Sequence, residues 1–267
     1  MSNDPKLGRE ADILQVTGLS KKFGGLKATD SVNFAVKANS ITALIGPNGA
    51  GKTTVFNLIT SIFPPDEGTV VFSGRKIVGW SSMAIANLGL IRTFQSARVF
   101  PGLTVLENVM VGRHRLVKSS GLGQMLWSAG SRREEADIRE QALAMLKIVG
   151  LERFKDAHAV DLPMGAQKLL EVVRAVMSNP SLLCLDEPAA GLNDTETEEL
   201  AALLRAIRTA GISILVVEHN MSLVMNVADH VVVLDAGKVI ASGSAAEIQR
   251  NPQVIEAYLG REQDAAA

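Results

Sequence analysis

Apolar and polar positions change rhythm twice along the chain. Val32, Phe34 and Val36 alternate with polar residues, the period of a half-buried strand. Ile41–Ile45 is instead a short apolar run ending in a Gly-rich turn, as a buried strand reads. After that turn Val55, Leu58, Ile59 and Ile62 fall at helical spacing, and Pro64-Pro65-Asp66-Glu67-Gly68 stops the helix. A short strand over Thr69–Phe72 follows.

From Thr104 to Met177 the signals are mainly helical. Ile138, Ala142, Met145, Leu146 and Val149 make one apolar face, and Leu169, Leu170, Val173, Val176 and Met177 make another. The polar stretch 113–135 reads as a loop or insertion, with Arg113–Lys118 a solvated charged run. The last third returns to alternation: strand Leu182–Leu185, helix Thr195–Arg208, strand Ile212–Val217, helix Met221–Val227, strand Val231–Leu234. Buried strands alternating with helices predict an α/β fold with a mostly parallel sheet and helices packed on it. Residues 1–11 and 261–267 are polar ends, expected to be loose, around a body of 12–260.

Composition narrows the classes. Apolar residues are 47% of 267 with aromatics only 4%, so the excess is aliphatic. The longest stretch free of charge, 77–91, is shorter than the ~18–20 apolar residues a membrane span needs. The first residues lack the apolar core of a signal peptide. A single Cys excludes an internal disulfide framework. A net charge of −1 argues against a strongly basic nucleic-acid binder. The expectation is a cytoplasmic protein.

The decisive motif is Gly46-Pro47-Asn48-Gly49-Ala50-Gly51-Lys52-Thr53, followed by Thr54. It matches G-x-x-x-x-G-K-[ST], with an apolar strand before it and a helical pattern after it. Glycines let backbone N–H groups curl around a polyphosphate, Lys52 reaches the terminal phosphates, and Thr53 offers a hydroxyl to Mg²⁺. By average residue usage its four fixed positions arise by chance in about one in a hundred chains of this length. The second cluster is Ser181-Leu-Leu-Cys-Leu-Asp186-Glu187-Pro188. An apolar strand ending in two carboxylates puts charge at the sheet edge where nucleotide would lie. Asp186 suits a Mg²⁺ ligand and Glu187 the general base for an attacking water. Cys184, at a buried-strand position, reads as core.

With both clusters in place, the chain resembles the ATP-binding subunit of an ABC transporter over about residues 12–260. The resemblance implies a P-loop ATPase domain with a mostly parallel core sheet, an antiparallel β subdomain and a helical subdomain at roughly 96–180. It places Phe23 where an aromatic stacks on adenine, and Gln95 where a glutamine meets Mg²⁺ or water and couples to the membrane subunit. It puts Leu162–Gln167, with Gly165, at the signature loop that touches the partner's nucleotide. Ala190-Gly-Leu-Asn193 falls at the D-loop, and His219 at the γ-phosphate switch. Pro163, Met164 and Ala166 depart from the usual signature L-S-G-G-Q, which implies one weaker composite ATP site.

Arg92-Thr-Phe-Gln, Asp186–Asn193, Val217-Glu-His-Asn-Met-Ser-Leu-Val-Met and Asn251-Pro-Gln-Val-Ile-Glu-Ala-Tyr-Leu-Gly are similar to importers of branched-chain and other hydrophobic amino acids. That implies ATP and Mg²⁺ as cofactors and a second ATPase subunit, identical or paralogous. It also implies two membrane permeases, an external solute-binding protein, and a station on the cytoplasmic face of the inner membrane, with no nucleic-acid partner expected. Three alternatives share parts of this pattern: an exporter ATPase for lipid or lipopolysaccharide, an ABC ATPase acting on nucleic acid, and a small-molecule P-loop kinase.

Overall fold

A computed structural model describes residues 12–93, 99–113 and 129–264, except the side chains of 129 and 259–264. Two sheets organise it. The first is antiparallel, in the order β2-β1-β4-β5, from β1 (Asp12–Phe23), β2 (Leu26–Lys37), β4 (Glu67–Phe72) and β5 (Arg75–Lys76). The second runs β10-β9-β3-β8-β7-β6. Its strands β3 (Ile41–Ile45), β6 (Leu90–Arg92), β7 (Leu182–Asp186), β8 (Ser213–Val217) and β9 (His230–Asp235) are parallel. Only β10 (Lys238–Gly243) pairs antiparallel, at one edge. Every residue of β3, β7 and β8 is buried, which is why these strands read as mostly apolar runs without alternation.

The parallel sheet is covered on both faces. Leu44, Cys184, Leu215 and Val232 face α1 (Lys52–Ile59) and the apolar side of the antiparallel sheet. Ala43, Leu185, Val216 and Val233 face α5 (Met164–Met177), α6 (Asp194–Thr209) and α7 (Met221–Val227). Helix α2 (Ser82–Leu88) precedes β6, and among the described residues between β6 and β7 lie the helices α3 (Val105–Val111), α4 (Ala129–Ile148) and α5. Two short helices, α8 (Ala245–Gln249) and α9 (Pro252–Asp264), end the described chain. No described helix is long and apolar enough to cross a membrane.

Several elements differ from the sequence expectation. The first helix ends at Ile59, because Ser61 turns into the left-handed region (φ 53°), and Ile62 is left 54% exposed instead of on the buried face. Helix α4 begins at Ala129, so 129–135 are helical, not loop. Its first described turns are nearly all exposed, so no apolar stripe marks them in the sequence. Residues 114–128 lie outside the described residues. Strand β1 escaped the pattern because its register shifts between Val16 and Leu19, which breaks the two-residue alternation.

Candidate functional site

The Gly-rich turn leaves the C-terminal end of β3 and enters α1. Gly46 and Gly51 adopt φ values of 150° and 97°, and neither could carry a side chain. A Cβ on Gly46 would lie 2.1 Å from the Leu234 carbonyl oxygen, and one on Gly51 would lie 2.4 Å from that of Ala28. The turn is thereby wedged between β9 and the start of β2. Helix α1 has no side-chain cap and no acidic residue in its first turn, so its N-terminal N–H groups and dipole are left to an anion. Lys52 is buried, and its ammonium donates back across the turn to the carbonyls of Gly46 (2.7 Å) and Pro47 (3.0 Å). Asn48, Gly49 and Thr53 are exposed, Thr54 half-buried and Ala50 buried.

Beside the turn, β7 delivers Asp186 and Glu187. Asp186 is buried and its Oδ2 accepts from Arg92 Nη2 at 2.8 Å. Burial drives its carboxyl above the usual range, and Arg92 opposes that shift. The same guanidinium donates to Asn57 Oδ1 (2.6 Å) and Thr60 Oγ1 (2.9 Å) and stacks over Phe56 at 4.7 Å. Glu187 sits in the left-handed region (φ 48°), a strain of about 1–3 kcal/mol for a residue with a side chain. Its Oε1 lies 3.9 Å from Nδ1 of His219, which follows β8 and is about half exposed. Carboxylate and imidazole therefore face each other at the edge that carries the Gly-rich turn.

The other expected residues fall into place less completely. Phe23 ends β1 about half exposed, edge-on to Phe63 at 5.5 Å, with the Lys21 ammonium 5.9 Å from both rings. Gln95 lies outside the described residues. Pro163 caps α5 without a side-chain hydrogen bond, and Met164 is 61% exposed. Gly165 is buried, and a Cβ there would sit 2.3 Å from Glu196 Oε1, so the outer face of this loop is Pro163–Met164. Glu196 in turn closes a capping box with Asn193 at the start of α6.

Three residues that organise this site have no role assigned by the sequence, although Arg92 and Glu218 stand inside the motifs that carry the resemblance. Arg92 belongs to the Arg-Thr-Phe-Gln motif, and its partner Asp186 is 94 residues away. Glu218 is fully buried and accepts three backbone N–H groups, from Ala189, His219 and Asn220. Lys168 is buried and donates to the carbonyls of Glu187 and Ala190. Beyond them, a cleft of about 280 Å³ lies between β6, α3 and α5, lined by Thr93, Phe100, Val111, Glu171 and Arg174.

Among the described residues no three His, Cys, Asp or Glu side chains gather as a metal cage. The oxygens of Thr53 and Asp186 nonetheless suit a hard cation such as Mg²⁺, which takes one or two protein ligands and completes its shell with phosphate and water. With Oδ2 on Arg92, Asp186 offers Oδ1.

Comparison with known proteins bears on the whole chain. The ABC transporter family matches residues 29–190, and the C-terminal family of branched-chain amino acid ATP-binding cassette transporters matches 238–264. The chain is 42% identical to the high-affinity branched-chain amino acid transport ATP-binding protein BraF of Pseudomonas aeruginosa, over 93% of this chain and 98% of that protein. Identity to LivG of Escherichia coli K12, of the same description, is 40% over the same shares. Among solved structures, an ATP-binding cassette of an ABC transporter in its ADP conformation superposes with a TM-score of 0.80 at 32% identity, over 94% of this chain and 99% of that one. A nucleotide-free cassette gives 0.78 at 32% identity, over 93% and 99%.

Proposed function

The chain belongs to the ABC transporter family, and from that premise we propose that it is the ATP-hydrolysing subunit of an importer of branched-chain amino acids. Membership removes the small-molecule kinase from the alternatives. The names of BraF and LivG, and the match of residues 238–264 to the branched-chain cassettes, favour amino acid uptake over lipid export. The observation that carries the enzymatic part is the Glu187–His219 pair, 3.9 Å apart beside the uncapped start of α1.

In this reading two ATPase subunits close face to face, each ATP lying between one phosphate loop and the other's signature loop. The N–H groups of Gly46–Thr54 and the Lys52 ammonium bind the phosphates, with Lys52 exchanging its loop carbonyls for phosphate oxygens. Phe23, exposed at a strand end, stacks on adenine. Glu187 accepts a proton from the attacking water, and His219 donates to the γ-phosphate. Thr53, Asp186 and Gln95 would hold Mg²⁺, which supplies neutralisation of the phosphate charge. Pro163 and Met164 face the partner's nucleotide, with Gly165 packed behind them against Glu196.

The cleft beside Thr93 and Phe100 adjoins the segment carrying Gln95, and we assign it to the membrane permeases. Arg174 stacks over Phe100 at 4.9 Å there, giving the cleft an aromatic and cationic lip. The protein is then stationed on the cytoplasmic face of the membrane by its permeases, with the solute chosen by an external binding protein.

The test is Glu187→Gln in the assembled complex. ATP binding should persist while hydrolysis falls by about 10²–10⁴-fold. Near-normal turnover would remove Glu187 from the role. Uptake of labelled Leu, Ile and Val that is unchanged when this subunit is deleted would overturn the assigned substrate.

A further inference from the structure

Glu187 is held in a backbone conformation that side chains rarely adopt, so something must hold it there. Its N–H donates to the Val217 carbonyl at 2.9 Å, which fixes one side of the residue to the end of β8. The other side is fixed by side chains from two different elements. From the end of β8, Glu218 points inward, fully buried. Its Oε1 accepts from the Ala189 N–H at 2.7 Å, two residues past Glu187. Its Oε2 accepts from the N–H groups of His219 (3.0 Å) and Asn220 (3.1 Å). One carboxylate thus ties the loop of the general base to the loop of the switch histidine. From α5, Lys168 Nζ donates to the Glu187 carbonyl at 3.4 Å and to the Ala190 carbonyl.

We propose that Glu218 and Lys168 are positioning residues, a clamp on the Glu187–Ala190 turn that aims the Glu187 carboxylate at His219 and at the attacking water. The clamp rests on the reading of Glu187 as the base. Buried charges need partners, and this cluster supplies them: Lys168 lies within the field of Glu218, Glu171 and Glu187. Of its five bonds three fall on the turn itself, so each end of the turn is held by an ionised group, and such bonds are stronger than neutral ones. The clamp also has a consequence for timing. Lys168 lies on the helix whose first residues, Met164 and Gly165, stand at the signature position. A movement of α5 when a partner subunit engages that loop therefore pulls on the Glu187 carbonyl, so alignment of the base follows the position of α5.

The experiment compares Glu218→Gln, Lys168→Met, Lys168→Arg and the double variant Lys168→Met/Glu218→Gln with the parent. It reads kcat and KM for ATP in the assembled complex, and trinitrophenyl-ATP affinity and thermal melting of the full chain. Glu218→Gln sets an amide N–H₂ against backbone donors, and Lys168→Met removes the donor. Each should lower kcat by about 10²-fold, the size of loss that follows a displacement of about 1 Å. Nucleotide affinity and KM should stay within about threefold, because the phosphate loop is untouched. Lys168→Arg, which keeps a charged donor, should recover most of the lost rate. The double variant should lose little more than the worse single one, since both act through one turn.

Near-parental kcat in Glu218→Gln would overturn the clamp. So would affinity falling in step with kcat, losses that multiply in the double variant, or Lys168→Arg as slow as Lys168→Met. Should Lys168→Met fail to fold, Glu218→Gln and Lys168→Arg decide alone. Glu187→Gln measured alongside separates the two readings. If it turns over normally, the base assignment fails; if it is dead while the clamp variants are normal, only the clamp fails.

Discussion

Replacing Arg92 by Met tests the electrostatics of this site most directly. The guanidinium is 15% and the Asp186 carboxylate 3% exposed, and they meet at 2.8 Å. Met keeps an unbranched stem that can lie on Phe56, so the change removes charge and donors more than packing. What remains is a buried carboxylate without its counter-ion, together with Asn57 and Thr60 deprived of a donor. Breaking a buried pair on one side costs about 3–5 kcal/mol, because the surviving charge stays desolvated. At about 2 °C per kcal/mol for a chain of this size, the melting temperature should fall by about 6–10 °C. The assay is thermal unfolding of the nucleotide-free chain followed by far-ultraviolet circular dichroism. Adding Asp186→Asn removes the orphaned charge, so Arg92→Met/Asp186→Asn should be more stable than Arg92→Met by at least about 1 kcal/mol. A single variant that costs less than about 1 kcal/mol, or a double variant no better than the single, would refute the reasoning.

Three further outcomes follow from particular residues. Pro163→Ser restores a hydroxyl at the exposed cap of α5; a hydrogen bond to a charged group is worth about 1.5–3 kcal/mol, so ATPase activity of the assembled complex at limiting ATP should rise about tenfold or more. The new Ser also caps the helix, so the melting temperature of the isolated chain must be measured beside it, and unchanged activity would sink the weak-site idea. Burial pushes the Cys184 thiol up to about 12, so Ellman's reagent at pH 8 should not react with the folded chain, yet titrate one thiol in urea. His230 is held below its ordinary value of 6.5 by burial and then by Lys37, while Glu247 opposes. The unfolded chain then binds the proton more readily, so stability present above about pH 6.5 is lost as pH falls below it. His230→Gln should flatten the melting temperature between about pH 7.5 and 5.5, and a slope identical to the parent's would remove His230 as its source.

The phosphate loop and the Asp186–Glu187 strand end were legible because each is contiguous. A strand, a turn of forced glycines and a helix are encoded side by side, and the spacing alone implies their geometry. The resemblance adds expected roles for Phe23, the signature loop and His219 from their order along the chain. Sheet order was not legible: β3 lies between β8 and β9, strands far from it in sequence, and its own apolar run says only that both faces are covered. The irregular strand β1 and the polar start of α4 were lost for opposite reasons, one hiding its period in a bulge and the other having little apolar face to show.

The sequence by itself determined the candidate chemistry: a Gly-rich turn between strand and helix, two carboxylates at the end of a buried strand, and the family that arranges them so. Only the tertiary structure decided what holds those residues in place. Arg92 meets Asp186 across 94 residues, Glu218 meets Ala189 across 29, and Lys168 meets Ala190 across 22. In one dimension Arg92, Glu218 and Lys168 are charged residues like any others. Each is committed to its partner only when packing removes the water that would otherwise solvate it.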